Sequence, residues 1–215
     1  MKQNIPIGIF CYTFDPVMSK AEKTRSYIIE RAAPVFNKKG YAGTSMADIM
    51  EVTNLTKGAI YGNFENKDEV ASEVFQFNMK SLYGRMKIFM QDKHGAVAQL
   101  QGITDYYRTS WKGVFERGGC PLQNASVEAD DNLSFLKKEV QASVRNWARS
   151  IELIIKGGQT EGVVHKQIDA SEYAYMIITI LEGGIMLGKI MNNHALLFKA
   201  LDRIDYMVKT EVLKN

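Results

Sequence analysis

The chain predicts an all-α fold, and three features carry that prediction. Only four prolines interrupt 215 residues. Apolar residues recur at helical rather than alternating spacing over long stretches. Capping residues stand just ahead of several of those stretches. The expected architecture is an N-terminal three-helix helix-turn-helix domain followed by a larger helical domain. The boundaries are residues 1–18 for an N-terminal extension, 19–67 for the first domain and 68–215 for the second.

The first helix is expected over Lys20–Lys39, with Ile28, Ile29, Ala32, Val35 and Phe36 facing the core and Gly40 as its stop. Pro34 lies inside it and cannot donate to the Glu30 carbonyl, at a cost of about 3 kcal/mol, so a bend is expected there. The second helix follows Ser45, whose hydroxyl and the Asp48 carboxylate form a capping box. Met46, Ile49, Met50 and Val52 give it an apolar face, and Asn54 suits a left-handed stop. Thr56 then caps a third, very short helix from Lys57 to about Asn63. Leu55, Ile60 and Phe64 are its inward anchors. Asn66 and Glu69 open a long fourth helix reaching about Gln91, a lever rising about 1.5 Å per residue. Further helices are expected at about 96–116, 121–129, 132–160, 170–191 and 194–213. Pro121 suits a first turn, and Asp169 with Glu172 forms another capping box.

The stretch from Thr44 to Lys67 is the most informative. Its two short helices and tight turn have the outline of a device that sets one helix into the DNA major groove. Lys57, Gly58, Ala59, Tyr61 and Asn63 face outward in that reading. Gly58 and Ala59 permit close approach of the backbone, and Tyr61 offers a hydroxyl and a flat face. Lys57 and Asn63 are expected at base edges, with Thr44, Ser45, Tyr61 and Lys67 at phosphates. Thr56 lies at the start of the same helix.

Charge agrees. Residues 19–67 hold eight Lys/Arg and five Asp/Glu, a net of +3, equal to the excess of the whole chain. A dimer would double that charge and focus it on one face.

At these residues the chain resembles the DNA-binding domain of the TetR family of bacterial repressors. The resemblance rests on Tyr27–Tyr41, on Thr44-Ser45-Met46-Ala47-Asp48-Ile49, on Lys57-Gly58-Ala59-Ile60-Tyr61-Gly62-Asn63-Phe64 and on Asn66-Lys67. It spans about Ser19 to Val74. Gly119-Cys120-Pro121-Leu122 with Asn124 and Glu128 resembles a helix start in the regulatory domain of some TetR-type repressors. The resemblance implies a ligand-responsive transcriptional repressor that binds a palindromic, double-stranded operator as a homodimer and is released by a small effector. The alternative is a DNA-binding protein without small-molecule control, architectural or nucleoid-associated.

Other features bound the function. The expected helix at 170–191 is apolar nearly all round, and Gly183, Gly184 and Gly188 admit a close neighbour. One face can pack within the subunit, and the other needs a second subunit, so the last two long helices are the expected dimer interface. Ten Tyr, ten Phe, eleven Met and two Trp supply large adaptable side chains for a cavity suited to a hydrophobic effector. Candidate ligand-binding residues are Met86, Tyr107, Trp111, Cys120, Asn124, Glu128, Trp147 and Tyr175, with Tyr106 and Phe115 on the same helices.

No enzyme is expected. The histidines His94, His165 and His194 have no metal spacing, and no HExxH, CxxC or strand-bound glycine loop occurs. No cofactor and no metal are called for. Two cysteines, Cys11 and Cys120, make no disulfide framework, which suits a cytoplasmic location. No uncharged apolar run reaches about 18 residues, so no membrane span is expected. Residues 1–18 are apolar behind Lys2 but lack a small-residue cleavage site. A flexible arm, or sequence upstream of a start at Met18, is expected ahead of a signal peptide.

Overall fold

The computed structural model describes residues 19–131 and 133–214. The readings of residues 1–18, of Cys11 and of a helix start at Asn132 lie outside the described residues. Within them the chain forms α1 (Lys20–Lys39), α2 (Met46–Thr53), α3 (Lys57–Tyr61), α4 (Lys67–Met90), α5 (Gly95–Glu116), α6 (Pro121–Asp131), α7 (Ser134–Glu161), α8 (Ala170–Ile190) and α9 (His194–Met207). A π-helical turn, Val208–Val212, follows α9. Among the described residues the β structure is one isolated bridge, Val164 to Leu213, so the fold is all-α.

By contact the chain divides into two compact units. One unit holds the described residues up to Tyr83 together with Cys120–Gln141. The other holds Gly84–Gly119 and the chain from Ala142 onward. α4 therefore contributes to both, and α6 belongs with the helix-turn-helix.

In the first unit, local capping chemistry fixes the helix ends. Ser19 caps α1 in a full capping box with Glu22, and α1 stays helical through Pro34. The Asn78 amide donates to the Ala33 carbonyl at 3.3 Å. The core is built from Ile28, Phe36, Tyr41, Ile49, Ile60 and Phe75, each essentially without exposure. Tyr41 sits between Phe36 and Phe75, with ring centroids 5.5 and 6.2 Å away. Burying each such side chain contributes about 1.5–3 kcal/mol. That burial is what holds α3, because five residues lie far below the about 12–15 that an isolated helix needs.

In the second unit α8 packs along α9. Gly184 makes this possible: a Cβ there would stand 2.5 Å from the Ala200 Cβ. At Gly188 it would meet Phe115 at 2.8 Å. Gly183, expected to act likewise, faces open space. Asp169 caps α8 by accepting the Ser171 and Glu172 N–H groups at 2.8 and 3.2 Å. By length and composition α8 is apolar enough to cross a membrane. It carries Glu172, Glu182 and Lys189, and its Ala174, Ile177, Leu181 and Ile185 are buried in the protein. α9 is joined to α5 by Thr104, which donates to Asp205 at 2.6 Å, and by Arg108, which reaches both Asp202 and Asp205 at 2.7 Å. α9 ends at Met207, short of the expected Leu213, because the last turn widens into the π form and closes on Leu213 N–H to Val208 O at 2.9 Å.

Candidate nucleic-acid interface

Both ends of α2 and the start of α3 are set by residues the sequence announces. The Asp48 N–H donates to Ser45 Oγ at 3.2 Å and the Ser45 N–H returns to Asp48 Oδ2 at 2.8 Å. Asn54 takes the left-handed conformation, φ 55° and ψ 33°, and closes α2 through its N–H to Met50 O. Thr56 Oγ1 accepts the Ala59 N–H at 3.2 Å, which caps α3. Lys39 pairs with Asp48. That ion pair, followed by the Ser45 hydrogen bonds, draws the Asp48 carboxyl down to about 2 from 3.8.

α3 buries Ile60 and exposes Thr56, Lys57, Gly58, Tyr61 and Gly62. Nothing lies within 4 Å of where a Gly58 Cβ would be, so this face can meet another surface backbone-first. The Lys57 ammonium lies 5.6 Å from the centre of the Tyr61 ring. An ammonium, a phenol and a bare backbone thus share one exposed helix face, a combination suited to an anionic, grooved partner. Thr56 keeps its hydroxyl proton available, since its cap uses only the oxygen. Ser45 is exposed, and its hydroxyl also donates to Asp48 at 2.8 Å.

Three of the expected contact residues have partners within the chain. Thr44 is fully buried, its Oγ1 donating to Gly40 O at 2.7 Å, so its side chain presents nothing to a phosphate. Lys67 is half-buried, and its ammonium donates to Thr44 O at 3.0 Å, Ala42 O at 3.3 Å and Tyr41 O at 3.5 Å. It braces the α1–α2 loop instead of standing free. The Asn63 amide turns back on its own helix, and one of its two N–H donors goes to Ala59 O at 2.9 Å. Ala59 is half-buried.

Sequence reasoning missed the residues that hold this face in place. The Arg25 guanidinium bonds the Asn63 carbonyl and pairs with Glu69 and Glu73. Tyr27 Oη donates to Thr53 O at 3.1 Å and Arg31 Nε to Val52 O at 3.0 Å, satisfying carbonyls that the end of α2 leaves open. These partners lie 21 to 48 residues apart in sequence, and no local pattern points to them.

The eight ligand-binding candidates are distributed over both units. Cys120, Asn124 and Glu128 fall in the helix-turn-helix unit. Cys120 is buried. The Asn124 amide donates to Asn37 O and Oδ1, both at 3.0 Å. Glu128 accepts the Tyr41 and Ala42 N–H groups at 2.9 and 2.7 Å. Asn124 and Glu128 therefore hold the end of α1 and the loop that follows it. In the other unit Tyr107 and Trp147 are buried, Met86 is half-buried, and Trp111 stacks on His194 at 4.4 Å. Tyr175 is 44% exposed on the protomer. Tyr106 is buried edge-on against Tyr107 with its hydroxyl unpartnered. Among the described residues no group of three or more His, Cys, Asp or Glu is placed to hold a metal ion.

Residues 28–74 match the family described as bacterial regulatory proteins, tetR family. Residues 96–204 match the tetracyclin repressor-like, C-terminal domain. The chain is 49% identical over 169 residues to the probable HTH-type transcriptional regulator ArpR of Pseudomonas putida, covering 76% of this chain and 79% of that one. It is 24% identical over 169 residues to the HTH-type transcriptional repressor DhaR of Mycobacterium sp. (strain GP1), covering 79% and 84%. A solved TetR-family regulator from Cytophaga hutchinsonii shares the fold with a TM-score of 0.87 and 34% identity, covering 93% of this chain and all of that one. With the helix-turn-helix and the helical C-terminal region both matched, the chain belongs to the TetR family of bacterial transcriptional regulators.

Proposed function

We propose that the protein is a cytoplasmic repressor that binds a palindromic operator as a homodimer and leaves it when a small effector occupies the helical domain. The observation that carries this reading is the exposed face of α3, where Thr56, Lys57, Gly58 and Tyr61 surround a fully buried Ile60. In this reading Lys57 reaches a base edge, Tyr61 and Thr56 hold phosphates, and the backbone at Gly58 and Ala59 approaches the groove.

The dimer is supported by an apolar surface on α8. Met186, Leu187, Ile190 and Met191 are exposed together with Tyr175, and Tyr206 is exposed on α9. A contiguous run of this kind at helical spacing is what a subunit interface leaves on an isolated protomer. Two heads related by a two-fold axis then read half-sites about one DNA turn apart. The effector reading is supported by the aromatic interior around Tyr106, Tyr107 and Phe89. The buried Tyr106 hydroxyl would give an otherwise apolar effector one hydrogen bond. An architectural DNA binder without an effector is not favoured by relatives named as repressors and regulators.

The experiment is selection of a duplex from a randomised pool by the purified full chain, followed by fluorescence anisotropy at fixed salt with Tyr61→Ala. The reading predicts a palindromic consensus and weaker binding by the variant, which stays folded by circular dichroism. Equal affinity of variant and wild type removes α3 from the interface.

A further inference from the structure

We infer that Glu128 is the positioning residue through which α6 holds the DNA-reading helices, an inference that rests on the operator-binding role of α3 proposed above. The α1–α2 loop, residues 40–44, is gripped from both of its polar sides. On the N–H side one carboxylate spans two successive amides, Oε1 to Tyr41 at 2.9 Å and Oε2 to Ala42 at 2.7 Å. On the carbonyl side the Lys67 ammonium spans Tyr41, Ala42 and Thr44. The Tyr41–Ala42 peptide is held at both ends, its N–H by the carboxylate and its C=O by the ammonium, in the same sense, so the two grips reinforce each other.

The loop is built to admit the carboxylate. Gly40 has φ +90°, and a Cβ there would stand 2.7 Å from Glu128 Oε1. Any side chain at this position would therefore collide with the carboxylate as well as strain the backbone. One turn earlier on α6, Asn124 bonds Asn37 O in the last turn of α1. α6 thus grips the end of α1 and the loop that follows it. That loop runs directly into Ser45, the cap of α2, and α2 sets α3 through the turn at Asn54.

Glu128 touches no part of the exposed α3 face. A shift of α6 draws the carboxylate from two amides at once, leaving both N–H groups without their acceptor. The loop then loses one of its two grips while Lys67 and the Tyr41 ring still hold the other side. The effect is a change in the aim of α2 and α3 with the core of the unit intact.

The test uses the full-length chain and the duplex that wild type enriches from a randomised pool. Operator affinity by anisotropy, melting temperature, and amide hydrogen exchange at Tyr41 and Ala42 are measured for Glu128→Ala, Glu128→Gln and Tyr61→Ala. Glu128→Ala is expected to weaken operator binding about tenfold at a temperature where it is fully folded, the scale of losing charge-assisted hydrogen bonds. Its Tyr41 and Ala42 amides are expected to exchange faster. Glu128→Gln, which preserves volume and retains one acceptor, is expected to fall between Glu128→Ala and wild type, and it decides the matter if Glu128→Ala does not fold. Tyr61→Ala is expected to weaken binding with exchange at Tyr41 and Ala42 unchanged. If folded Glu128 variants bind the operator as wild type does, or lower the melting temperature alone, this inference is overturned and the operator-binding reading stands. If wild type enriches no duplex, the operator-binding reading itself falls and takes this inference with it.

Discussion

The Arg25 guanidinium lies over the Phe64 ring, 4.2 Å from its centre, and the same guanidinium pairs with Glu69 and Glu73 on α4 and bonds the carbonyl of Asn63 at the end of α3. One side chain on α1 thus ties the α3 terminus to the helix that follows it. The two carboxylates, Glu73 above all, raise the guanidinium well above its ordinary range, so it is charged at every accessible pH. Arg25→Ala is expected to destabilise the protein by about 1–3 kcal/mol by leaving two half-buried carboxylates and a carbonyl without their donor. Thermal unfolding followed by circular dichroism checks the size. Arg25→Lys is expected to recover only part, because an ammonium cannot reproduce the planar fork; full recovery would show that charge alone matters.

Acid sensitivity follows from Asp48. Its folded carboxyl titrates near 2 against 3.8 for the unfolded chain, chiefly through Lys39. A depressed carboxyl stabilises the fold above the unfolded value, and that contribution is lost as pH falls through the folded one. The stabilisation from Asp48 is therefore full above about pH 4 and disappears between there and about pH 2. In Asp48→Asn the decline in melting temperature over that interval should be shallower than in wild type. Parallel curves would assign the acid sensitivity to other carboxylates.

How far these features could be read from the sequence depended on range. The Ser45–Asp48 box, the Asn54 stop and the Thr56 cap act over three or four residues, and each appears where the residue types place it. Glu128 and Arg25 act across 38 to 87 residues, so composition and periodicity carry no trace of their partners. The same limit explains Lys67 and Asn63. A basic or amide side chain beside a recognition helix reads as solvent-facing, until the backbone carbonyls it meets are known. The π turn after α9 was hidden because its residues continue the helical apolar spacing.

Lys57 and Tyr61 should behave as a pair. Lys57→Ala is expected to cost about 1–3 kcal/mol of operator binding and to relax preference at one base position. Tyr61→Ala is expected to weaken binding to all sequences alike. Because the ammonium lies beside the Tyr61 ring, the double variant should lose less than the sum of the singles. Anisotropy on a panel of single-base operator variants separates these outcomes, and a uniform loss for Lys57→Ala would move that residue to the backbone.

The α8 surface gives a direct test of assembly. Ile190 is 75% exposed on the protomer. Ile190→Glu is expected to yield a folded monomer by sedimentation velocity, with operator affinity reduced by the loss of the second head. A variant that remains dimeric places the interface elsewhere.

Gly184 tests the α8–α9 packing independently. A methyl there would stand 2.5 Å from the Ala200 Cβ, and neither atom belongs to a flexible chain end. Gly184→Ala is expected to lower stability by about 1–3 kcal/mol through overpacking, measured by chemical denaturation. The paired change Gly184→Ala with Ala200→Gly should restore much of the loss.

The most direct measurement of the central claim is selection from a randomised duplex pool by the purified wild-type chain at low salt. The account predicts a two-fold symmetric consensus with half-sites about 10 bp apart, or a multiple of that spacing, and binding that weakens steeply as salt rises. Recovery of no consensus, by a protein that is folded and dimeric in the same buffer, would contradict it.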